Sequence, residues 1–137
     1  LKYGGKTIGS HFFRSTSALN NSFCRSSASR RRSVDNALKF TPEGGAVALD
    51  VRIVDGQPLL AVADTGPGIA PAERGAVLQM FYRGHTSERS IPGHGLGLSL
   101  VAAIARVHDA AIEILDNEPG CRMQLRFPKP AQARLSA

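Results

Sequence analysis

Leu59-Leu60-Ala61-Val62-Ala63-Asp64-Thr65-Gly66-Pro67-Gly68-Ile69 is the stretch on which the fold turns. Five apolar residues in a row predict a buried strand, and a carboxylate closes it. Two glycines around a proline then turn the backbone. Asp64, at the end of a buried run, is costly unless a hydrogen-bond donor meets it. An exocyclic ring amine such as that of adenine is a fitting donor, and Gly66 and Gly68 let the chain approach a flat ring closely. Alone, Asp-Thr-Gly-Pro-Gly is also an ordinary Asp-capped turn. A second segment, Gly93-His94-Gly95-Leu96-Gly97-Leu98, alternates glycine and runs straight into an amphipathic helix. Free amides at a helix start, with the macrodipole behind them, bind phosphate well. The two segments together suggest the base side and the phosphate side of one nucleotide pocket.

Working outward, Val34 to Phe40 reads as the last turns of a helix, stopped by Thr41-Pro42-Glu43-Gly44-Gly45. Val47, Leu49, Val51 and Ile53 alternate with polar or small residues, which predicts a half-buried strand. Asp55-Gly56 supplies a hairpin turn into the apolar run. A short helix is expected from Pro71 to Met80, and Gly84 to Pro92 reads as a polar loop. Leu98, Val101, Ala102, Ala105 and His108 fall on one helical stripe. Ile112 and Ile114 begin a strand, Asp116 to Gly120 makes a turn, and Met123, Leu125 and Phe127 alternate in a last strand. The order predicts an α+β fold, with helices on one face of a largely antiparallel sheet.

Asn36 and Lys39 stand three apart and share a helix face. An amide oxygen can ligate Mg²⁺, and an ammonium can meet phosphate oxygens. Arg83, just before the polar loop, can reach a terminal phosphate. Each of the three also reads as an ordinary surface residue when taken singly.

The chain has 137 residues, room for one domain, and a formal net charge of +6 that is confined to one end. Residues 1–34 hold seven basic and no acidic side chains, whereas the remainder holds ten basic and eleven acidic. A nucleic-acid surface spread over the fold is therefore not expected. Residues 1–33 form a basic Ser/Arg-rich segment without sustained periodicity, which predicts loop or disorder. Their composition also resembles an organellar leader or a stretch foreign to the domain, and a basic phosphate-binding arm is the lesser expectation because no aromatics interleave the charges. Residues 34–128 form the domain proper, and 129–137 a tail. No apolar run is long enough to cross a bilayer, so no membrane contact by this chain is expected. Cys24 and Cys121 lack metal-ligand spacing and read as free thiols of a reducing compartment.

From Val34 to about Phe127 the chain resembles the ATP-binding catalytic domain of bacterial sensor histidine kinases, within the gyrase, chaperone, histidine kinase and mismatch-repair ATPases. Asp35-Asn36-Ala37-Leu38-Lys39-Phe40-Thr41-Pro42 resembles the N box, and Asp64 to Ile69 the first glycine box. Phe81-Tyr82-Arg83 resembles the F box, and Gly93 to Leu98 the second glycine box. The resemblance implies a two-layer α/β sandwich of the Bergerat type whose front part is incomplete here. It implies ATP and Mg²⁺ as cofactors, with Asn36 on the metal and Lys39 and Arg83 on phosphates. Asp64 would meet the adenine amine, Phe40 and Ile69 would wall the base, and Gly84 to Pro92 would be a lid. The implied reaction is γ-phosphoryl transfer to a histidine on a separate dimerisation domain, with a response regulator downstream, in the cytoplasm.

Arg32 departs from that pattern, standing one turn before Asn36 where the family carries Asn or an acid. Asp109 stands where the family often has Gly. These departures keep a second expectation open: a degenerate or truncated nucleotide-binding module without kinase activity. No phosphoacceptor histidine is expected in this chain, and His108, although followed by Asp109, reads as a packing or capping residue at a helix end.

Overall fold

The computed structural model describes residues 2–3, 6–11, 27–80 and 97–130. Its strands are β1 (Lys2–Tyr3), β2 (Lys6–His11), β3 (Ala46–Val54), β4 (Gln57–Asp64), β5 (Ala111–Asp116) and β6 (Cys121–Arg126), and its helices α1 (Ser27–Phe40) and α2 (Gly97–Val107). They form one sheet in the order β1-β2-β3-β4-β6-β5. Only the β2–β3 pair is parallel among these strands, so the sheet is mixed and mostly antiparallel, as expected.

The β3–β4 hairpin forms because Asp55 and Gly56 both adopt left-handed backbone (φ 52° and 77°), the geometry of a tight two-residue turn. Its register sets Val47, Leu49 and Val51 opposite Asp64, Val62 and Leu60. Leu60 and Val62 in turn face Leu125 and Met123, which face Ile112 and Ile114 of β5. One continuous apolar face results. Val101 and Ala105 of α2 pack on it with Val51, Leu60, Ile114, Met123, Leu125 and Phe127. Ala37 of α1 packs beside them on Val47 and Val62, so both helices cover the same face. The opposite face is covered differently. Leu59 and Ala61 are only 2% exposed there, between Arg52 and Arg126 and between Asp50 and Gln124 of the neighbouring strands. Long polar side chains, some tied as Asp50–Arg52 and Asp50–Arg122 pairs, shield the apolar centre with their stems.

The sequence expectations fail at two places. Pro71 to Met80 does not form an α-helix; two 3₁₀ turns, Pro71–Glu73 and Ala76–Leu78, take its place. Gly75 between them has no side chain to pack, and none of these six turn residues is fully buried, so nothing drives a longer helix. Residues 1–33, expected as loop, contain β1, β2 and the first half of α1. Backbone pairing along the edge of β3 makes β2, a tertiary effect that side-chain periodicity does not encode. Among the described residues no helix is long and apolar enough to cross a membrane.

Helix α2 ends in a Schellman motif: Ala110 N–H bonds to Ala105 O (2.8 Å) and Asp109 N–H to Arg106 O (3.2 Å). Asp109 holds the left-handed position (φ 52°) that glycine usually fills. His108 packs edge-on against Phe127, with ring centroids 6.3 Å apart, which is the packing role expected of it. Replacement of Asp109 by Gly should relieve the backbone cost and raise stability by up to about 1 kcal/mol in urea unfolding. The buried stripe of α1 is Ser33 and Ala37, continued by Thr41 just past its end. Thr41 Oγ1 donates to Ala37 O (2.6 Å), but the buried Ser33 Oγ has no hydrogen-bond partner among the described residues. Ser33→Ala should therefore raise the unfolding free energy by roughly 1 kcal/mol, the cost of an orphaned hydroxyl.

Candidate functional site

Asp64 ends β4 in the centre of the sheet and is 9% exposed. Its Oδ1 accepts from the Gly66 N–H (2.9 Å) and from the Cys121 N–H of β6 (3.2 Å). Oδ2 has no donor among the described residues. Burial raises the carboxyl above its ordinary value of 3.8, and the two amide bonds oppose that rise. What results is a fixed carboxylate with one oxygen anchored and the other free to accept.

The loop after Asp64 rests on the turn between β5 and β6. Asn117 Nδ2 donates to Asp64 O (2.8 Å). Arg74 Nε donates to Ile69 O (3.3 Å), while its guanidinium meets Asp116 Oδ1 at 2.6 Å. Gly120, at φ 112°, brings the turn so close that a Cβ there would run into the Asp64 carbonyl. Only glycine fits. Burial first, and the Asp64 charge second, push the neighbouring Cys121 thiol up to about 12.

Helix α1 and the start of α2 close the other side. Asn36 Oδ1 lies against Gly97, at the first residue of α2, where a Cβ would collide with it. Phe40, at the end of α1, reaches the Asp64 loop through its backbone: a Cβ on Gly66 would come within 2.9 Å of the Phe40 carbonyl oxygen. Lys39 is exposed, and its Nζ lies 5.4 Å from the centre of the Phe40 ring. Ile69 and Leu98 both pack on the main core from the site side.

Of the residues singled out in the sequence, the structure gathers Asn36, Phe40, Asp64, Gly66 and Gly97 through direct neighbours, with Lys39 on the Phe40 ring. Gly68, at φ 75°, lies over Gly120. Arg83, Gly93, His94, Gly95 and Leu96, together with the polar loop from Gly84 to Pro92, lie outside the described residues. Sequence reasoning missed Arg74, Asn117, Gly120 and Cys121 as parts of the site. Asn117 to Gly120 was legible as a turn, but its partner Asp64 lies more than fifty residues away. No local pattern encodes that pairing. Among the described residues no three His, Cys, Asp or Glu side chains gather to hold a metal.

A central buried carboxylate, a glycine loop beside it, and an Asn-bearing helix against a second helix start are thus brought together on one side of the fold. Residues 31–131 match the family of histidine kinase-, DNA gyrase B- and HSP90-like ATPases, and the chain belongs to that family. Its curated relatives include the signal transduction histidine-protein kinase/phosphatase MprB of Mycobacterium ulcerans, 44% identical over 88 residues. The counterpart from Mycobacterium leprae is 43% identical over the same length. These matches span 64% of this chain but only 17% of either relative. Among solved structures, the mycobacterial sensor histidine kinase MprB superposes with a TM-score of 0.67 at 29% identity, over 90% of this chain and 82% of that one. Full-length ShkA in complex with AMPPNP gives 0.70 at 28% identity, over 90% of this chain and 26% of that one.

The raised Asp64 carboxyl has a signed consequence. The folded state holds this proton to higher pH than the unfolded chain, so Asp64 lowers stability as pH rises from 3.8 through its native value. Asp64→Asn keeps the Oδ1 acceptor and removes that dependence. The stability of wild type relative to Asp64→Asn should fall between acidic and neutral pH in paired thermal melts. A difference that instead grows with pH would show the ionised carboxylate to be stabilising.

Proposed function

We propose that this chain is the ATP-binding catalytic module of a sensor histidine kinase, delivering the γ-phosphoryl of ATP to a histidine on a separate dimerisation domain. The single observation that carries the reading is Asp64: a buried carboxylate with one oxygen anchored by two amides and the other without a donor among the described residues. Adenine presents an amine of the right polarity to that oxygen, beside the glycine loop from Gly66 to Gly68. The ShkA structure, part of which resembles 90% of this chain, carries an ATP analogue. That likeness supports adenine nucleotide as the ligand.

The remaining residues divide the work. Phe40 and Ile69 wall the base, and the amides at the start of α2, those of Gly97 and Leu98 included, face the phosphates. Lys39, exposed and extended over Phe40, supplies a mobile positive charge to the same groups. Asn36 would hold Mg²⁺, because its amide oxygen is a hard donor lying against that helix start. When bound, Mg²⁺ neutralises charge on the transferring phosphoryl. The protein thus positions the phosphoryl for in-line attack, and the accepting imidazole comes from the partner domain. A response regulator receives the group next, which places the reaction in the cytoplasm.

Isothermal titration of ATP tests binding. Wild type should bind, and chelation of Mg²⁺ should weaken it several-fold. Asn36→Ala should bind weakly and respond little to chelation. Labelled ATP mixed with a histidine-bearing dimerisation domain should then leave acid-labile label on that domain. Binding without transfer would favour the degenerate module, to which the Arg32 cation one turn before Asn36 also points. Acid-stable label would assign another kinase chemistry.

A further inference from the structure

We propose that the turn between β5 and β6 positions the base-recognising carboxylate, with Asn117 and the Arg74–Asp116 pair as its working parts. The proposal rests on the reading of Asp64 as the adenine acceptor. Six residues of the turn and strand start, Asp116 to Cys121, hold both ends of the loop from Asp64 to Ile69. At the near end, Asn117 Nδ2 takes the Asp64 carbonyl (2.8 Å) and Cys121 N–H takes Oδ1 of the same residue (3.2 Å). One residue is thus tied by its peptide plane and by its side chain to a single turn. At the far end, Arg74 links Asp116 Oδ1 (2.6 Å) to the Ile69 carbonyl (3.3 Å). Gly120 O and Gly68 meet in between: a Cβ on Gly68 would stand 3.1 Å from that oxygen.

The turn is itself closed by Asn117 N–H on Gly120 O (3.2 Å), so Asn117 is anchored through its backbone while its side chain reaches out. None of these groups lines the base. They act through Asp64 and Ile69, which do. Recognition of a ring amine by one free oxygen requires placement within a fraction of an ångström, and residues of this kind supply it. Loss of the Asn117 donor frees the Asp64 peptide to tilt, and Oδ2 swings with it.

The test compares ATP with purine riboside triphosphate, which keeps the ring and phosphates but lacks the 6-amino group. Wild type should bind ATP roughly tenfold more tightly than the analogue, the worth of a hydrogen bond to a charged acceptor. Asn117→Asp keeps the side-chain shape and removes the donor. It should cut that preference to threefold or less while leaving analogue affinity within a factor of two. A merely structural role would lower both affinities together or neither. Should Asn117→Asp not fold, Asp116→Asn, at an exposed position, carries the same comparison with a smaller drop in the same direction. A folded variant that keeps the full preference overturns the proposal alone. Wild type that binds both nucleotides equally, or binds neither, overturns the reading of Asp64 beneath it.

Discussion

A carboxylate cannot sit at the end of a central strand without donors, and the architecture around Asp64 follows from that requirement. Two amides meet Oδ1, one from the loop it begins and one from β6. The second amide is available only because β6 pairs antiparallel with β4 in a register that ends beside Asp64. Sheet pairing and site geometry are therefore one constraint. Slip β6 by one residue and the carboxylate loses a donor while the apolar face of Met123 and Leu125 turns outward.

The helices answer a different demand. Both cover the face that Leu60 and Val62 present, and they meet where Asn36 touches Gly97. A Cβ at residue 97 would displace the Asn36 amide, so glycine there lets the polar end of α1 rest against the start of α2. Burial of the core drives the helices down, and the small residue decides how near their ends come. A packing force and a steric permission thus jointly place an amide oxygen beside a helix N-terminus.

Much of this was legible in the sequence where the determinants are local. Asp55-Gly56 encodes its hairpin in two residues, and the alternation of β3 and β6 marks their buried sides. The helix start at Gly97 and the strand end at Asp64 were likewise visible, so half of the candidate site could be named in advance. Legibility ended where partners are distant. Pro71 to Met80 has helix-compatible residues, yet only Val77 and Leu78 of its turns reach the core and none is fully buried, and it stays as 3₁₀ turns. Asn117 looks like any turn asparagine until the fold brings Asp64 to it. Strand β2 owes its state to the free edge of β3, a property of the sheet rather than of Lys6 to His11.

The strand that supplies Cys121 N–H to the carboxylate also carries a thiol inside the core. Held near 12 by burial and by the Asp64 charge, that sulfur keeps its proton throughout the neutral range and is chemically silent while the sheet is closed. It becomes a nucleophile only when the end of β6 peels from β4, the same opening that releases Asp64. Alkylation at Cys121 is therefore a natural clock for that event. Its rate counts how often the sheet parts at the point where base recognition begins.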